Sequence, residues 1–415
     1  MKLLFCAHDR PDYINGPNIW LQRLLPGLRE NGIDSTVLFF PSGDPARCRT
    51  IQALKKNGFN CIVYKGKKYS EFRIRWIMEK IAETAPDVFI PNLDIPAYHA
   101  SQWIKKSGIP TVGVLHSDDP FYRGVISEFL QKSAPSPLSA IVCVSRYLQD
   151  LCEKSGGEKV KLRRIPYGVP VPDTRARFDN GTLKLVYAGR LVETQKRISD
   201  VTHALCRMVK DIPGTEAVLY GSGSSEQNIL QIIGEYGAEK KVKLGGLVKN
   251  HELQEKLLDA QVFVLLSDFE GLPIALMEAM ACGLVPVCYN MESGIPELVE
   301  NDEQGLIVND RGEDFLKAIE KLKNKKGYWE KLSMSARDKI VSGYSVSYSV
   351  QKWTELFQEL NSHAPLNKSE CSLPEGFRLP EKHRDISSYQ DPRWPGYPEY
   401  YGQKVNNIIK RIIRK

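Results

Sequence analysis

The chain has 415 residues, more than one compact core usually accommodates, so two domains are expected. Apolar residues make up 42% and charged residues 26%, ordinary globular usage that lets both halves bury a core. The net charge of +7 suits phosphorylated ligands or an acidic membrane surface and is too mild to imply nucleic acid.

The chain opens with Met1-Lys2-Leu3-Leu4-Phe5-Cys6-Ala7, and His8, Asp9 and Arg10 then cut the apolar run short. That is too brief for a signal peptide and reads as a first buried strand. Further strands are predicted at 36–40, 61–64, 88–91, 111–115 and 141–144. Between the first two lies a helical pattern, with Ile19, Leu21, Leu24, Leu25 and Leu28 apolar. Asn31-Gly32 is its stop signal, and Pro26 is expected to kink it. Strand, helix, strand in this order is a βαβ unit and implies a parallel sheet. Asn15-Gly16-Pro17 opens the first helix, an anion-binding type of position. His116 follows the strand at 111–115, so it is expected at the mouth of a cleft, donating a hydrogen bond to a sugar or phosphate. Read alone, it is more simply a satisfied loop histidine.

The Pro-rich stretch 165–172, with the polar run to Asn180-Gly181, reads as an interdomain linker. The alternation then restarts, with strands predicted at 183–188, 217–220, 242–244, 262–266, 285–288 and 306–308. The apolar stretch from Gly271 to Tyr289 contains Glu278, Gly283 and Pro286, so it divides into helix and strand rather than spanning a membrane. The domains are therefore 1–172 and 173–345, both Rossmann-like and doubly wound. A closing helix at 346–361 is expected to pack back towards the first. Residues 362–401, rich in proline, charge and tyrosine, are expected to be an extended arm or disordered. In the last segment Val405, Ile408, Ile409, Ile412 and Ile413 share one helical face, with lysine and arginine on the other. Such a basic amphipathic helix, Lys404 to Lys415, is a candidate for peripheral membrane contact. The nine cysteines are scattered, with no Cys-x-x-Cys pair, and read as free thiols in a reducing cytosol.

In doubly wound sheets, ligands bind beyond the carboxyl ends of the strands. After the strand at 262–266 come Ser267-Asp268-Phe269-Glu270-Gly271-Leu272-Pro273 and a helix from Ile274 to Ala281. Pro273 suits the first helical turn, Gly271 lets backbone approach a ligand, and the free N–H groups of the helix start suit a diphosphate. On one helix, Glu270 and Glu278 would lie about 12 Å apart. That is too far for the paired carboxylates of a glycosidase, which need roughly 5–9.5 Å. It suits gripping two ends of one long ligand, with Glu270 near a sugar and Glu278 near ribose hydroxyls. After the strand at 183–188 come Gly189-Arg190-Leu191 and then Gln195-Lys196-Arg197. Arg190 and Lys196 there would stabilise charge developing on a departing diphosphate. Gly221, in the loop Gly221-Ser222-Gly223-Ser224, follows the next strand, although a lone Gly-x-Gly is a weak signal.

The run from Glu270 through Glu278 to Val287 resembles the E-x7-E signature of family-four retaining glycosyltransferases. The likeness continues through Gly294-Ile295-Pro296-Glu297-Leu298-Val299 to Gly305-Leu306-Ile307-Val308. Gly189-Arg190-Leu191 with Lys196 is similar to that family's phosphate-binding loop. The resemblance spans roughly residues 1 to 360. It implies the GT-B architecture, two facing Rossmann-like α/β domains, here with a C-terminal extension. It implies transfer of a hexose-type sugar from a nucleotide diphosphate sugar, with retained configuration, to a saccharide or lipid-linked hydroxyl acceptor. Polysaccharide or glycolipid biosynthesis is the implied context. The sugar nucleotide is then a co-substrate, with no other cofactor, no metal and no nucleic acid partner. It further implies Glu270, Arg190, Lys196 and His116 as catalytic residues. Gly16, Gly189, Gly221, Gly271, Leu272, Pro273 and Glu278 would bind the donor. The expected location is cytoplasmic, possible membrane contact being peripheral at the inner face. Asp118-Asp119 resembles a metal-binding pair and reads here as an acidic loop.

Two other classes fit the residues less well. A non-catalytic sugar-nucleotide-binding protein would have lost a phosphate cation or a glutamate of this set, and none is missing. A dinucleotide-dependent oxidoreductase wants Gly-x-Gly-x-x-Gly after the first strand, where His8-Asp9-Arg10-Pro11 stands instead.

Overall fold

The computed structural model describes residues 1–11, 15–131, 136–156, 160–179, 181–365, 370–381, 383–386 and 391–395. The predicted amphipathic helix at 404–415 lies outside the described residues. The chain divides into two units: 1–144, 148–165 and 351–415 in the first, 145–147 and 166–350 in the second.

The first unit is built from β1 (Lys2–Asp9), α1 (Gly16–Glu30), β2 (Asp34–Pro41), α2 (Arg49–Lys56), β3 (Asn60–Val63), α3 (Ser70–Thr84) and β4 (Val88–Ile90). It continues through α4 (Ile95–Lys106), β5 (Val112–Leu115), α5 (Pro120–Ile126), β6 (Ala140–Cys143), α6 (Arg146–Lys154) and β7 (Lys161–Arg164). Its strands pair in parallel in the order β3-β2-β1-β4 and β5-β6-β7. A parallel bridge between Phe89 and Thr111 joins the two groups. The central strand β1 is buried from Leu3 to Ala7 because helices cover both faces of the sheet. β7 was not predicted, because Lys161-Leu162-Arg163-Arg164 has no apolar run and carries an edge strand's charge. α1 runs on through Pro26, so the proline that was expected to kink it does not end it.

The second unit contains β8 (Leu183–Ala188), α7 (Glu193–Lys196), α8 (Ile198–Asp211), β9 (Thr215–Tyr220), α9 (Glu226–Glu235), β10 (Val242–Gly246) and α10 (Asn250–Leu258). Then come β11 (Val262–Leu265), α11 (Ile274–Ala281), β12 (Val285–Tyr289), α12 (Ile295–Leu298), β13 (Leu306–Val308), α13 (Glu313–Asn324) and α14 (Tyr328–Gly343). The six strands are all parallel, in the order β10-β9-β8-β11-β12-β13. The strand order reverses between β8 and β11, so the loops leaving these two strands part to either side. Such a switch point is where doubly wound sheets hold ligands. The Pro-rich stretch expected as a linker is partly packed. Pro166, Tyr167, Gly168 and Val169 are buried, and the Val169 amide donates to the Tyr344 carbonyl at 2.9 Å.

α15 (Val346–Ser362) is the last helix among the described residues. Its Trp353 and Phe357 pack against Trp20 and Phe5 of the first unit, with ring centroids 5.4 and 6.5 Å apart. Of the two expectations for the chain beyond it, an extended arm or disorder, the described residues fit the arm. The described part of the tail lacks helix and strand, but it is not free in solvent. Phe377, Leu379, Ile386 and Asp391 are buried. Phe377 meets Trp103 of α4 edge-on at 5.2 Å. Asp391 accepts from the Ser70 hydroxyl at 2.8 Å and from Arg393 at 3.0 Å. Composition left both open because the tail's few apolar residues are spaced without a period, yet they fall one by one into sites on α3, α4 and α5.

All nine cysteines are free, and seven are buried.

Candidate active site

The loops after β8 and β11 meet at the switch point of the second unit. Lys196, at the end of α7, places its ammonium 2.5 Å from the Glu270 carboxylate. Both side chains are largely shielded, 13% and 7% exposed. Gln195 binds the two loops further: its carbonyl accepts from the Asp268 amide at 2.9 Å, and its Nε2 donates to the Phe269 carbonyl at 2.9 Å. Its Oε1 accepts from the Arg190 guanidinium. Arg190, Lys196 and Glu270 thus share one small network, although 74 residues separate Lys196 from Glu270. Arg197 takes a different path. Its backbone is left-handed, with φ of 50°, and its side chain turns to Asp200 and Asp268.

The glycines let these loops pack. Gly221 has φ of 146°, and a Cβ there would lie 1.8 Å from the Gly189 carbonyl oxygen, so no other residue fits without moving the Gly189 loop. The Gly271 carbonyl accepts from the Gly294 amide at 2.8 Å. Leu272 and Pro273 are buried. Pro273 is the residue before the helix rather than its first helical position, with φ −74° and ψ 108°. No side chain caps α11, so the amides of Ile274, Ala275 and Leu276 face the loop end without intrahelical acceptors. Glu278 lies half-buried on α11. Glu270 is off the helix, so the 12 Å separation along one axis does not apply to the pair.

Sequence reasoning missed Arg311. It follows β13, at the same end of the sheet as the other loops. Its Nε donates to the Leu266 carbonyl at 2.9 Å, its guanidinium pairs with Asp268, and its plane lies 4.1 Å from the Tyr289 ring centroid. Asp268 is held between Arg311 and Arg197, which braces the loop that carries Glu270. Its place just after a strand is the signal that would have found it.

In the first unit, Gly16 and His116 each follow a parallel strand. Asn15 caps α1 by accepting from the Asn18 amide at 2.8 Å, the Ile19 amide bonds the Asn15 carbonyl, and Pro17 has no N–H. Among the described residues, the Gly16 amide alone is left in that first turn. His116 is 4% exposed rather than open at a mouth. Its Nε2 lies 2.7 Å from Asn92 Oδ1, and its ring meets Trp20 at 5.2 Å. Burial pushes its pKa down to about 3. Asp119 caps α5 by accepting from the Phe121 and Tyr122 amides, and Asp118 takes both ends of Arg123. Among the described residues no cluster of three His, Cys, Asp or Glu is placed to hold a metal.

His8 is likewise lowered to about 4, by burial and by the Arg73 and Arg10 cations. Both rings are neutral in the folded chain and charge on unfolding below about pH 6.5. Their contribution to stability is complete above that pH and is lost as pH falls towards 3–4. Asp94, raised to about 6 by burial against the pull of Arg73, acts oppositely: it stabilises below about pH 4 and that contribution is lost as pH rises through 6. His116→Asn should therefore flatten the loss of stability between pH 6.5 and 4.5 by about 2–3 kcal/mol, as read from urea midpoints. An unchanged pH profile would show that His116 is not buried in the neutral form.

Comparison with known proteins agrees with this fold. Residues 14–171 match the family model "Glycosyltransferase Family 4", and residues 173–339 match "Glycosyl transferases group 1". The putative colanic acid biosynthesis glycosyltransferase WcaL of Escherichia coli is 39% identical over 134 residues, 30% of this chain and 32% of that protein. The amylovoran biosynthesis glycosyltransferase AmsK of Erwinia amylovora is 31% identical over 186 residues, 43% of this chain and 45% of that one. The chain thus spans about a third to a half of the length of these relatives. In fold, it is similar to HepE of Anabaena crystallised with UDP-glucose, with a TM-score of 0.70 and 18% identity, covering 86% of this chain and all of that one. The pneumococcal O-GlcNAc transferase GtfA in complex with UDP and GlcNAc gives a TM-score of 0.70 at 12% identity, covering 87% of this chain and 99% of that one. The two parallel α/β units and the two consecutive family matches identify the chain as a GT-B glycosyltransferase of the family 4 and group 1 type.

Proposed function

We propose that the protein is a retaining glycosyltransferase moving a hexose-type sugar from a nucleotide diphosphate sugar to a hydroxyl acceptor in polysaccharide or glycolipid biosynthesis. The observation that carries this reading is the shielded Lys196–Glu270 pair at the β8/β11 switch point, beside the uncapped start of α11. The relatives named for colanic acid and amylovoran biosynthesis and the neighbours crystallised with UDP support it.

In this reading the diphosphate lies against the Ile274–Leu276 amides, with Arg190 and Lys196 beside it. These donors meet the charge that develops as the nucleotide departs, without a metal or other cofactor. Glu270 faces the donor sugar and Glu278 the ribose. The glycine-lined loops at Gly189, Gly221 and Gly271, with Leu272 and Pro273, shape the donor's bed. The family resemblance assigns Gly16 and His116, of the first unit, to the same reaction. With Nε2 at Asn92, a neutral His116 holds a fixed ring orientation rather than a charge. The acceptor is a saccharide or lipid-linked hydroxyl. Among the described residues no helix is long and apolar enough to cross a membrane, and the basic segment 404–415 would give peripheral contact at the inner face of the cell membrane.

Thermal unfolding with UDP, GDP, ADP and NAD tests the reading. A diphosphate present at a hundred times its dissociation constant should stabilise by about 2.7 kcal/mol, and Glu278→Ala should abolish the effect. No shift with any diphosphate, or a shift with NAD alone, would sink the proposal.

Arg311 gives a second test. It touches the Glu270 loop and not the phosphates, so Arg311→Ala should lower kcat about 10- to 100-fold by letting that loop shift. Nucleotide affinity measured by calorimetry should change far less, and Arg311→Lys should recover only part of kcat because it cannot bond Leu266 and Asp268 together.

A further inference from the structure

The turn between β3 and α3 holds none of the residues assigned above to sugar transfer. Lys65, Gly66, Lys67 and Lys68 are all exposed. The turn has a fixed shape: the Tyr64 hydroxyl donates to the Lys67 carbonyl at 2.6 Å and lies 2.5 Å from where a Cβ on Gly66 would stand. Beside it, the rings of Tyr69 and Phe72 pack edge-on against Trp394, at 4.9 and 5.3 Å. Trp394 comes from the C-terminal tail, yet its side of the cluster stays 37% exposed. The Lys67 ammonium lies 4.8 Å from the Phe72 ring centroid and 5.2 Å from that of Trp394.

The two acids that hold the Trp394 segment, Glu71 and Asp391, face inward. Glu71 is buried and accepts from the Trp394 amide at 2.9 Å. Asp391 is fully buried and engaged by Ser70 and Arg393. The exposed side chains of the turn are therefore cationic, set around a tryptophan. The sequence continues this character: Lys404, Lys410, Arg411, Arg414 and Lys415 follow with no acidic residue among 404–415.

We infer that the Lys65–Tyr69 turn and Trp394 form a docking surface for an anionic lipid bilayer. Trp394 enters the headgroup layer, where an amphipathic ring is favoured, and Lys65, Lys67 and Lys68 meet lipid phosphates. This deepens the peripheral-membrane part of the function proposed above and rests on it for the partner, but it assigns the contact to the folded body and not to residues 404–415 alone.

Co-sedimentation of the full chain with phosphatidylcholine vesicles, with and without phosphatidylglycerol, is the test. Binding is expected to the anionic vesicles only. Each lysine neutralised should weaken partitioning about fivefold, so Lys67→Gln/Lys68→Gln should weaken it about 25-fold. Both lysines are exposed, so this variant should keep its unfolding temperature and its solution transferase activity. Trp394→Ala should weaken binding to the same vesicles, and a chain ending at Gly402 should keep residual binding that the lysine variant removes. If the lysine variant binds within about twofold of the unmodified chain, the surface proposed here is wrong. In that case, loss of binding on truncation at Gly402 leaves contact through the tail standing. Equal binding to both vesicle types, or to neither, overturns both readings.

Discussion

Replacing Lys196 by alanine is expected to lower kcat by about 10²- to 10³-fold, the cost of removing one preorganised group from a developing negative charge. The same change should also destabilise the fold. The Lys196 and Glu270 side chains are only 13% and 7% exposed, so deleting one leaves the other as an uncompensated, largely shielded charge. That loss is about 3–5 kcal/mol for a buried pair. The double change Lys196→Met/Glu270→Gln separates the two effects. With both charges gone, much of the stability should return, because a shielded pair can often be replaced by neutral side chains at little cost. Turnover should stay as low as in the single variants. Paired measurements of urea midpoint and kcat therefore decide the issue. If the double variant recovers activity along with stability, Lys196 and Glu270 serve the fold and not the reaction, and the site assignment fails.

Asp391→Ala is expected to release the C-terminal tail. Burial alone would raise the Asp391 carboxyl, but His99, Arg393 and the Ser70 hydroxyl outweigh it and hold it below the usual carboxylate range. Removing it strands the buried Ser70 hydroxyl and leaves the Arg393 guanidinium, 11% exposed, with the Pro380 carbonyl in place of its carboxylate. The penalty of about 3–5 kcal/mol falls on the docked state only, so it shifts the docking equilibrium by about 10²–10³-fold or until the tail is free. Trypsin cleavage after Arg378 or Arg384 follows the population of the open tail when opening is fast. Cleavage at those sites should accelerate by a similar factor while the remaining body stays intact. Phe377→Ala, which empties the contact with Trp103, should act in the same direction. Unchanged cleavage in Asp391→Ala would mean that this network does not hold the tail.

Most of the strands were legible in the sequence. A strand buried on both faces, such as 262–265 or 285–289, has to be continuously apolar, and that pattern survives without any knowledge of its neighbours. The positions of Gly189, Gly221 and Glu270 were legible for a related reason: each lies in a loop that follows a strand, where parallel sheets present ligands. β7 was not legible. An edge strand needs backbone partners more than apolar side chains, and Lys161–Arg164 finds them on β6.

The sequence by itself determined the α/β alternation, the two series of parallel strands and the loops that carry the candidate chemistry, because local periodicity and turn residues encode these directly. Only the tertiary structure decided which of those residues meet. Strand order placed the loops after β8 and β11 side by side, so Lys196, and not its neighbour Arg197, reached Glu270. It buried His116 against Asn92 and Trp20. It recruited Arg311 from beyond β13 to brace Asp268. It also decided between the extended arm and the disorder that composition left open for the tail, because Phe377, Leu379, Ile386 and Asp391 find their partners on helices about 300 residues away. Contacts between positions so far apart leave no local period to read; they exist only once the chain is packed.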